Sequence, residues 1–100
     1  MNTEELQVVA FEIILHSGTA RATVHEAFAA MRLGHYDEAS QKLEVANTEL
    51  VEAHHAQTKL LQDYASGVEI KIEIIMVHAQ DHLMNAILMK DMANSIIKLN

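Results

Sequence analysis

Cysteine, proline and tryptophan are absent from this sequence of 100 residues, and glycine occurs only three times. Without cysteine the chain can form no disulfide framework, no thiol nucleophile and no thiolate metal site. Basic residues are also scarce, with 7 Lys and Arg against 14 Asp and Glu, so the formal charge is −7 with histidine neutral. This balance argues against a general binder of nucleic acid or anionic membranes, because contact with phosphates needs a basic face.

Long apolar runs are missing as well. No uninterrupted run approaches the roughly 20 residues that cross a membrane, so we expect no direct membrane insertion. The first residues, Met1-Asn2-Thr3-Glu4-Glu5, lack the basic region of a signal peptide. We therefore expect a cytoplasmic protein with a single domain, residues 1–100, and a small core.

Half of the residues are apolar, but only 4% are aromatic. The remaining apolar residues are Ala, Ile, Leu, Val and Met. This composition favours helices over sheets, because Ala, Leu and Met are strong helix formers. Gly34 and Gly67 divide the chain into thirds, and each third shows helical spacing of apolar residues. The sequence predicts an all-α fold, an antiparallel three-helix bundle with helices over approximately 3–33, 36–65 and 71–98.

Local signals support the first two helices. Asn2 with Glu5 three residues later is typical of a helix start, and Gly34 suits the left-handed position just after a helix end. Gly18 should weaken or bend the first helix without ending it. The second helix has a strict three-four spacing, here called the α2 seam: Tyr36, Ala39, Leu43, Ala46, Leu50, Ala53, Gln57, Leu60 and Tyr64.

The start of the third helix is ambiguous. Residues Val68 to Ile74 alternate with period two, which is typical of a strand, but no second strand-like run exists to pair with them. We therefore expect an extended lead-in that merges into a helix at about residues 70–72.

The third helix carries two apolar stripes on nearly opposite sides. The first stripe contains Ile72, Ile75, Met76, Ala79, Leu83, Ala86, Ala93 and Ile97. The second stripe contains Ile74, Val77, Asp81, Met84, Leu88, Met92 and Leu99. Helices one and two can cover only one of these faces, so the sequence predicts an oligomer built on the third helix.

Asp81 lies in the middle of the second stripe. In a parallel symmetric bundle every copy of Asp81 would converge on the axis, where crowded carboxylates take up protons or bind a cation such as Mg²⁺ or Ca²⁺. Alternatively, Asp81 is a polar residue that sets the register of the bundle. Both interpretations remain open at this point.

His78 and His82 are one turn apart and project from the strip between the two stripes, whereas Gln80 points the other way round the helix. In a rotationally symmetric bundle, the His78 edge of one copy approaches the Gln80 edge of the next. The histidine pair has three interpretations: half of a zinc site, a nucleophilic imidazole with a hydrogen-bonding neighbour, or interfacial polar residues. The spacing of the two histidines resembles that of the zinc motif H-E-x-x-H, but Ala79 stands where that motif has its general-base Glu. The sequence also shows no third zinc ligand.

The other five histidines, His16, His25, His35, His54 and His55, are expected at the surface or an interface. Glu52-Ala53-His54-His55 contains one Glu-x-x-His unit. Di-iron helical bundles need two such units, so an oxygen-activating site is not expected.

Three stretches resemble one family. Val77-His78-Ala79-Gln80-Asp81-His82-Leu83-Met84 resembles the signature of the lactose/cellobiose-type IIA component of the phosphoenolpyruvate-dependent sugar phosphotransferase system (PTS). Glu52-Ala53-His54-His55-Ala56-Gln57-Thr58 and Ser17-Gly18-Thr19-Ala20-Arg21 resemble two further segments of that family. The likeness extends in order along essentially the whole chain.

This resemblance implies a homotrimer, a nine-helix bundle of three protomers. It implies that His78 is phosphorylated by the phosphocarrier HPr and that the phosphoryl group passes to a cysteine of a IIB component, which serves a IIC membrane permease. It also implies that Asp81 holds an axial divalent cation, Mg²⁺ being our expectation. By position, Gln80 and His82 are candidates for contacting the phosphoryl group.

We thus expect a phosphotransferase component for uptake of a β-disaccharide of the cellobiose, chitobiose or lactose type; Ala79 hints at the cellobiose/chitobiose side. The alternatives are a metal-binding helical-bundle enzyme and a purely structural oligomer.

Overall fold

Three α-helices account for most of residues 1–99, the part of the chain that the computed structural model describes: α1 Thr3–Arg32, α2 Tyr36–Ala65 and α3 Ile74–Lys98. Between α1 and α2, His16 contacts Glu49 and Glu26 contacts Lys42. Between α2 and α3, Asn47 contacts Lys90 and Gln57 contacts Gln80, so in both cases residue numbers increase along one helix as they decrease along the other. Consecutive helices therefore run antiparallel, in a bundle of 49 × 20 × 16 Å. The predicted all-α three-helix fold is confirmed; residue 100 of the predicted domain lies outside the described residues.

The ends of α1 follow the sequence signals. Asn2 Oδ1 accepts a hydrogen bond of 2.8 Å from the backbone N–H of Glu5, and Gly34 has a φ of +77°. The Asn2 side chain thus satisfies one of the free N–H groups of the first turn. The helix ends at Arg32, one residue before the predicted end, and it continues through Gly18 as expected.

Most of the α2 seam is buried: Ala39, Leu43, Ala46, Leu50, Ala53 and Leu60. The exceptions are Gln57, which is half-buried, and the two tyrosines, with Tyr36 37% and Tyr64 68% exposed. The tyrosines lie at the two ends of α2, where the other helices give little cover. The spacing therefore predicts the core correctly in the middle of α2 and overestimates it at both ends.

The predicted start of the third helix at residue 71 is wrong. The helix begins at Ile74, and Glu73 before it has an extended backbone with φ −115° and ψ 152°. The alternating β-branched residues from Val68 onward favour extended backbone, and no side chain caps the helix at Glu73. Ile72, predicted for the first stripe, consequently lies outside the helix and is 90% exposed.

The two faces of α3 differ as predicted. The first stripe packs into the core through Met76, Ala79, Leu83, Ala86 and Ala93. The second stripe is exposed in the single chain, at Ile74, Val77, Asp81, Met84, Leu88, Met92 and Leu99. An apolar row of this length facing solvent is typical of an interaction surface. Within residues 1–99, no helix is both long and apolar enough to cross a membrane.

Candidate functional site

The histidine pair lies in the first half of α3, between the buried and the exposed stripe. His78 Nε2 and His82 Nε2 are 3.1 Å apart, within hydrogen-bonding distance. His78 is exposed and His82 is half-buried. The helix brings them together because residues i and i+4 lie one above the other on the same face.

This contact constrains the protonation of the two rings. Because both facing atoms are Nε2, one ring must donate its N–H and the other must accept with a lone pair. A neutral His78 that accepts from His82 keeps its own proton on Nδ1 and holds an unprotonated Nε2. The arrangement is therefore compatible with a nucleophilic nitrogen on the exposed His78 ring, available once the hydrogen bond from His82 opens.

Gln80 lies on the other side of α3 from the histidines and faces α2. Its Oε1 accepts a hydrogen bond of 2.5 Å from Gln57 Nε2, and its Nε2 lies 3.7 Å from Met76 Sδ. Within one chain Gln80 therefore does not join the histidine pair, which agrees with its predicted direction.

Gln57 is the residue that sequence reasoning missed. The Glu52–Thr58 stretch had no assigned role beyond packing near the third helix, yet Gln57 in it bonds directly to Gln80. A signal was present, because Gln57 is the one polar residue of the otherwise apolar and aromatic α2 seam.

Asp81 stands on the exposed second stripe, one residue from Gln80 and three from His78. Its Oδ1 accepts a hydrogen bond of 3.3 Å from Asn85 Nδ2. Residues 1–99 of a single chain contain no group of three or more His, Cys, Asp or Glu side chains placed to hold a metal ion. One chain thus offers one carboxylate, and an oxygen-ligand cation would need Asp81 from several copies.

The remaining histidines lie away from this pair. His54 and His55 are exposed and line a groove of about 340 Å³ between α2 and α3, together with Val51, Ile87 and Lys90. His16 is half-buried, and its Nδ1 lies 2.6 Å from Glu49 Oε2, which joins α1 to α2.

Comparison with known proteins places this helical protein in a class. A family model described as "PTS system, Lactose/Cellobiose specific IIA subunit" matches residues 8–100. The chain is therefore a IIA component of a sugar phosphotransferase system, a class whose members carry phosphoryl groups. It belongs to the lactose/cellobiose-specific IIA family, which confirms the resemblance inferred from the sequence.

Individual relatives agree with this assignment. The lichenan-specific phosphotransferase enzyme IIA component of Bacillus subtilis is 50% identical over 96 residues, 96% of this chain and 87% of that protein. The crystal structure of PtcA from S. mutans shares 66% identity and a TM-score of 0.98, covering 99% of this chain and 97% of that one. The IIA(chitobiose) of Escherichia coli, solved in complex with HPr, shares 32% identity and a TM-score of 0.78, covering 94% and 91% of the two chains.

Proposed function

We propose that this protein is a cytoplasmic phosphoryl carrier in which His78 accepts a phosphoryl group from phospho-HPr and passes it to a cysteine of a IIB component. The observation that carries the proposal is the accessible His78 ring with the Nε2 of His82 at 3.1 Å. Family membership supplies the context, and the HPr complex of the Escherichia coli relative supports the choice of donor.

The chemistry follows from the ring nitrogens. The lone pair of His78 Nε2 attacks phosphorus in line, the N–P bond to the HPr histidine breaks, and a new N–P bond forms on His78. The two rings must move apart to admit the phosphoryl group. His78 can make this movement because its side chain is exposed. The His82 N–H then donates to a phosphoryl oxygen instead of to His78.

The second stripe is our proposed trimer interface. Three copies of α3 packed around an axis would cover Met84, Leu88 and Met92, which are 47%, 58% and 56% exposed in the single chain. That geometry leaves His78 at the edge of each subunit contact and brings it toward Gln80 of the next copy. The trimer therefore completes a site that one chain leaves open, with Gln80 and His82 as phosphoryl contacts.

Asp81 is our proposed ligand for an axial divalent cation, with Mg²⁺ as the expected ion. Three carboxylates from three copies form an oxygen donor set of the kind that such hard cations prefer. When bound, the ion would neutralise the clustered negative charge on the axis. Asp81 itself takes no part in moving the phosphoryl group.

The sugar served by the pathway is proposed to be a β-disaccharide of the cellobiose, chitobiose or lactose type. The support is the family description together with the lichenan and chitobiose relatives. The carrier would hand its phosphoryl group to IIB, and the sugar would be phosphorylated during uptake through IIC. Because the chain has a formal charge of −7, we expect a partner to dock through a basic face or through apolar contacts.

The test is incubation with phosphoenolpyruvate, Enzyme I and HPr, followed by peptide mass spectrometry. We expect one acid-labile phosphate on the peptide that contains His78 and none on the His78→Ala variant. His54→Ala is the matched control, since it removes an exposed imidazole from α2 and should leave the phosphate in place. Phosphate acceptance by His78→Ala would overturn the assignment.

A further inference from the structure

Gln57 occupies a position that packing alone does not explain. In the α2 seam it lies between Ala53 and Leu60, both of which are buried, and its own side chain is half-buried. An amide at such a position loses hydration and needs hydrogen-bonding partners. A leucine would fit the spacing equally well, so the amide group itself calls for a function.

The hydrogen bond to Gln80 has a defined polarity. Gln57 Nε2 donates and Gln80 Oε1 accepts, at 2.5 Å, across the contact between α2 and α3. Turning both amides round would exchange these roles, but Gln80 Nε2 also lies 3.7 Å from Met76 Sδ, a weak acceptor. The methionine sulfur therefore favours the orientation in which the Gln80 oxygen accepts from Gln57, one N–H of Gln80 faces the sulfur, and the second N–H is left to donate elsewhere.

This polarity matters for phosphoryl transfer. The oxygens of a transferring phosphoryl group carry negative charge, so a donor held ready beside them stabilises the transition state, whereas a carbonyl oxygen would repel them. An unrestrained glutamine can present either end of its amide and loses rotamer freedom when it is fixed. If Gln57 already donates to the Gln80 oxygen, the orientation that turns this oxygen toward the phosphoryl group is disfavoured before the reaction begins.

We propose that Gln57 is a positioning residue for the transfer reaction: it holds Gln80 so that its second N–H is available to the phosphoryl group on His78 of the adjacent subunit. This inference rests on the proposed function. It adds α2 to a site that the family signature places entirely on α3.

Two substitutions separate positioning from simple packing. Gln57→Leu restores the apolar spacing of the seam and removes the donor. Gln57→Glu keeps the shape and still allows a hydrogen bond to Gln80, but a carboxylate only accepts. The hydrogen bond must then reverse: Gln80 turns so that an N–H of its Nε2 donates to the carboxylate. The Gln80 oxygen is then directed at the phosphoryl group in place of an N–H.

The experiment measures the rate constant for transfer from phospho-HPr in both variants and in the same pair of variants made on a Gln80→Leu background. We expect Gln57→Leu to slow transfer roughly fivefold, as the loss of one hydrogen bond suggests, and Gln57→Glu to slow it at least about tenfold. On the Gln80→Leu background both changes should have an effect below about twofold, because the amide that Gln57 positions is gone. That background also measures the effect of the added charge of Gln57→Glu by itself.

Gln62→Leu is the matched control, an exposed glutamine on the same helix whose replacement should leave the rate unchanged. Unchanged transfer in Gln57→Leu and Gln57→Glu overturns the inference, and so does an equal slowing on the Gln80→Leu background. If Gln57→Leu fails to fold, the isosteric Gln57→Glu carries the same cycle. Failure of the unsubstituted protein to accept phosphate would defeat the proposed function itself, a result distinct from normal transfer by both Gln57 variants.

Discussion

His78 and His82 meet edge to face, with ring centroids 4.4 Å apart and an angle of 89° between the ring planes. In this arrangement the two rings are not stacked, and their Nε2 atoms lie 3.1 Å apart. A hydrogen bond between the two Nε2 atoms requires one ring to donate and the other to accept. One ring can serve as the nucleophile while the other supplies a proton for hydrogen bonding.

Replacing His82 tests this division of roles. His82→Leu removes the donor beside the His78 nitrogen, and we expect transfer from phospho-HPr to slow about tenfold, equivalent to about 1.4 kcal/mol of transition-state stabilisation. His82→Gln keeps an N–H donor and should recover part of the rate. Stopped-flow or quench kinetics with all three proteins provide the measurement, and equal rates for His82→Leu and the parent protein would exclude a role for His82.

Asp81→Leu should preserve or strengthen the trimer and abolish cation binding. In the proposed trimer this substitution would replace a buried cluster of like charges with apolar packing, a change that is often neutral or stabilising in other proteins. The mass of the assembly by light scattering, with and without a chelator, and elemental analysis of the protein provide the test. Dissociation of Asp81→Leu into monomers would show that the carboxylate and its cation are needed for assembly.

Leu88→Arg should dissociate the trimer and leave each protomer folded. Leu88 is 58% exposed in the single chain, so the substitution costs the protomer core little, but it places a charge in the proposed interface. Sedimentation equilibrium and circular dichroism measure the two effects separately. Val45→Arg is the control: Val45 is 54% exposed on α2, and its replacement should leave the trimer intact. A trimeric Leu88→Arg protein would contradict an interface on the second stripe.

Ser17→Ala should raise the free energy of unfolding by about 1 kcal/mol. The Ser17 side chain is fully buried in α1, and its hydroxyl oxygen has no hydrogen-bond partner among the described residues. Alanine removes an unsatisfied polar group and has a higher helix propensity.

Urea unfolding at a fixed protein concentration measures the effect of Ser17→Ala, because the stability of an oligomer depends on concentration. Thr48→Ala, an exposed change on α2, should shift the free energy by less than about 0.5 kcal/mol. A destabilised Ser17→Ala protein would indicate that the hydroxyl has a partner in the assembled protein.

The helices could be predicted because their signals are local. The α2 seam follows a three-four spacing that only a helix places on one face, and Asn2 and Gly34 mark ends with chemistry that acts over a few residues. The start of α3 could not be placed as well, since Val68 to Ile74 fits both an extended segment and a helix. In the structure the segment up to Glu73 lies outside the helix, and Glu73 itself has an extended backbone.

The site was predictable in part for the same reason. The spacing of His78 and His82 predicts their contact, because helical geometry alone brings residues i and i+4 together. The contact of Gln57 with Gln80 was not predictable, because it depends on how α2 and α3 are rotated and shifted against each other. No pattern within either helix contains that information, although Gln57, as a polar residue in the α2 seam, indicated a position with a possible polar partner.

The most direct measurement is the mass of the intact assembly by native mass spectrometry, before and after incubation with phosphoenolpyruvate, Enzyme I and HPr. We predict a trimer that gains one phosphoryl group per chain, and a His78→Ala trimer that gains none. A monomer, or a trimer whose mass does not change although HPr itself is phosphorylated, would contradict the proposal that His78 is the phosphoryl carrier at a subunit contact.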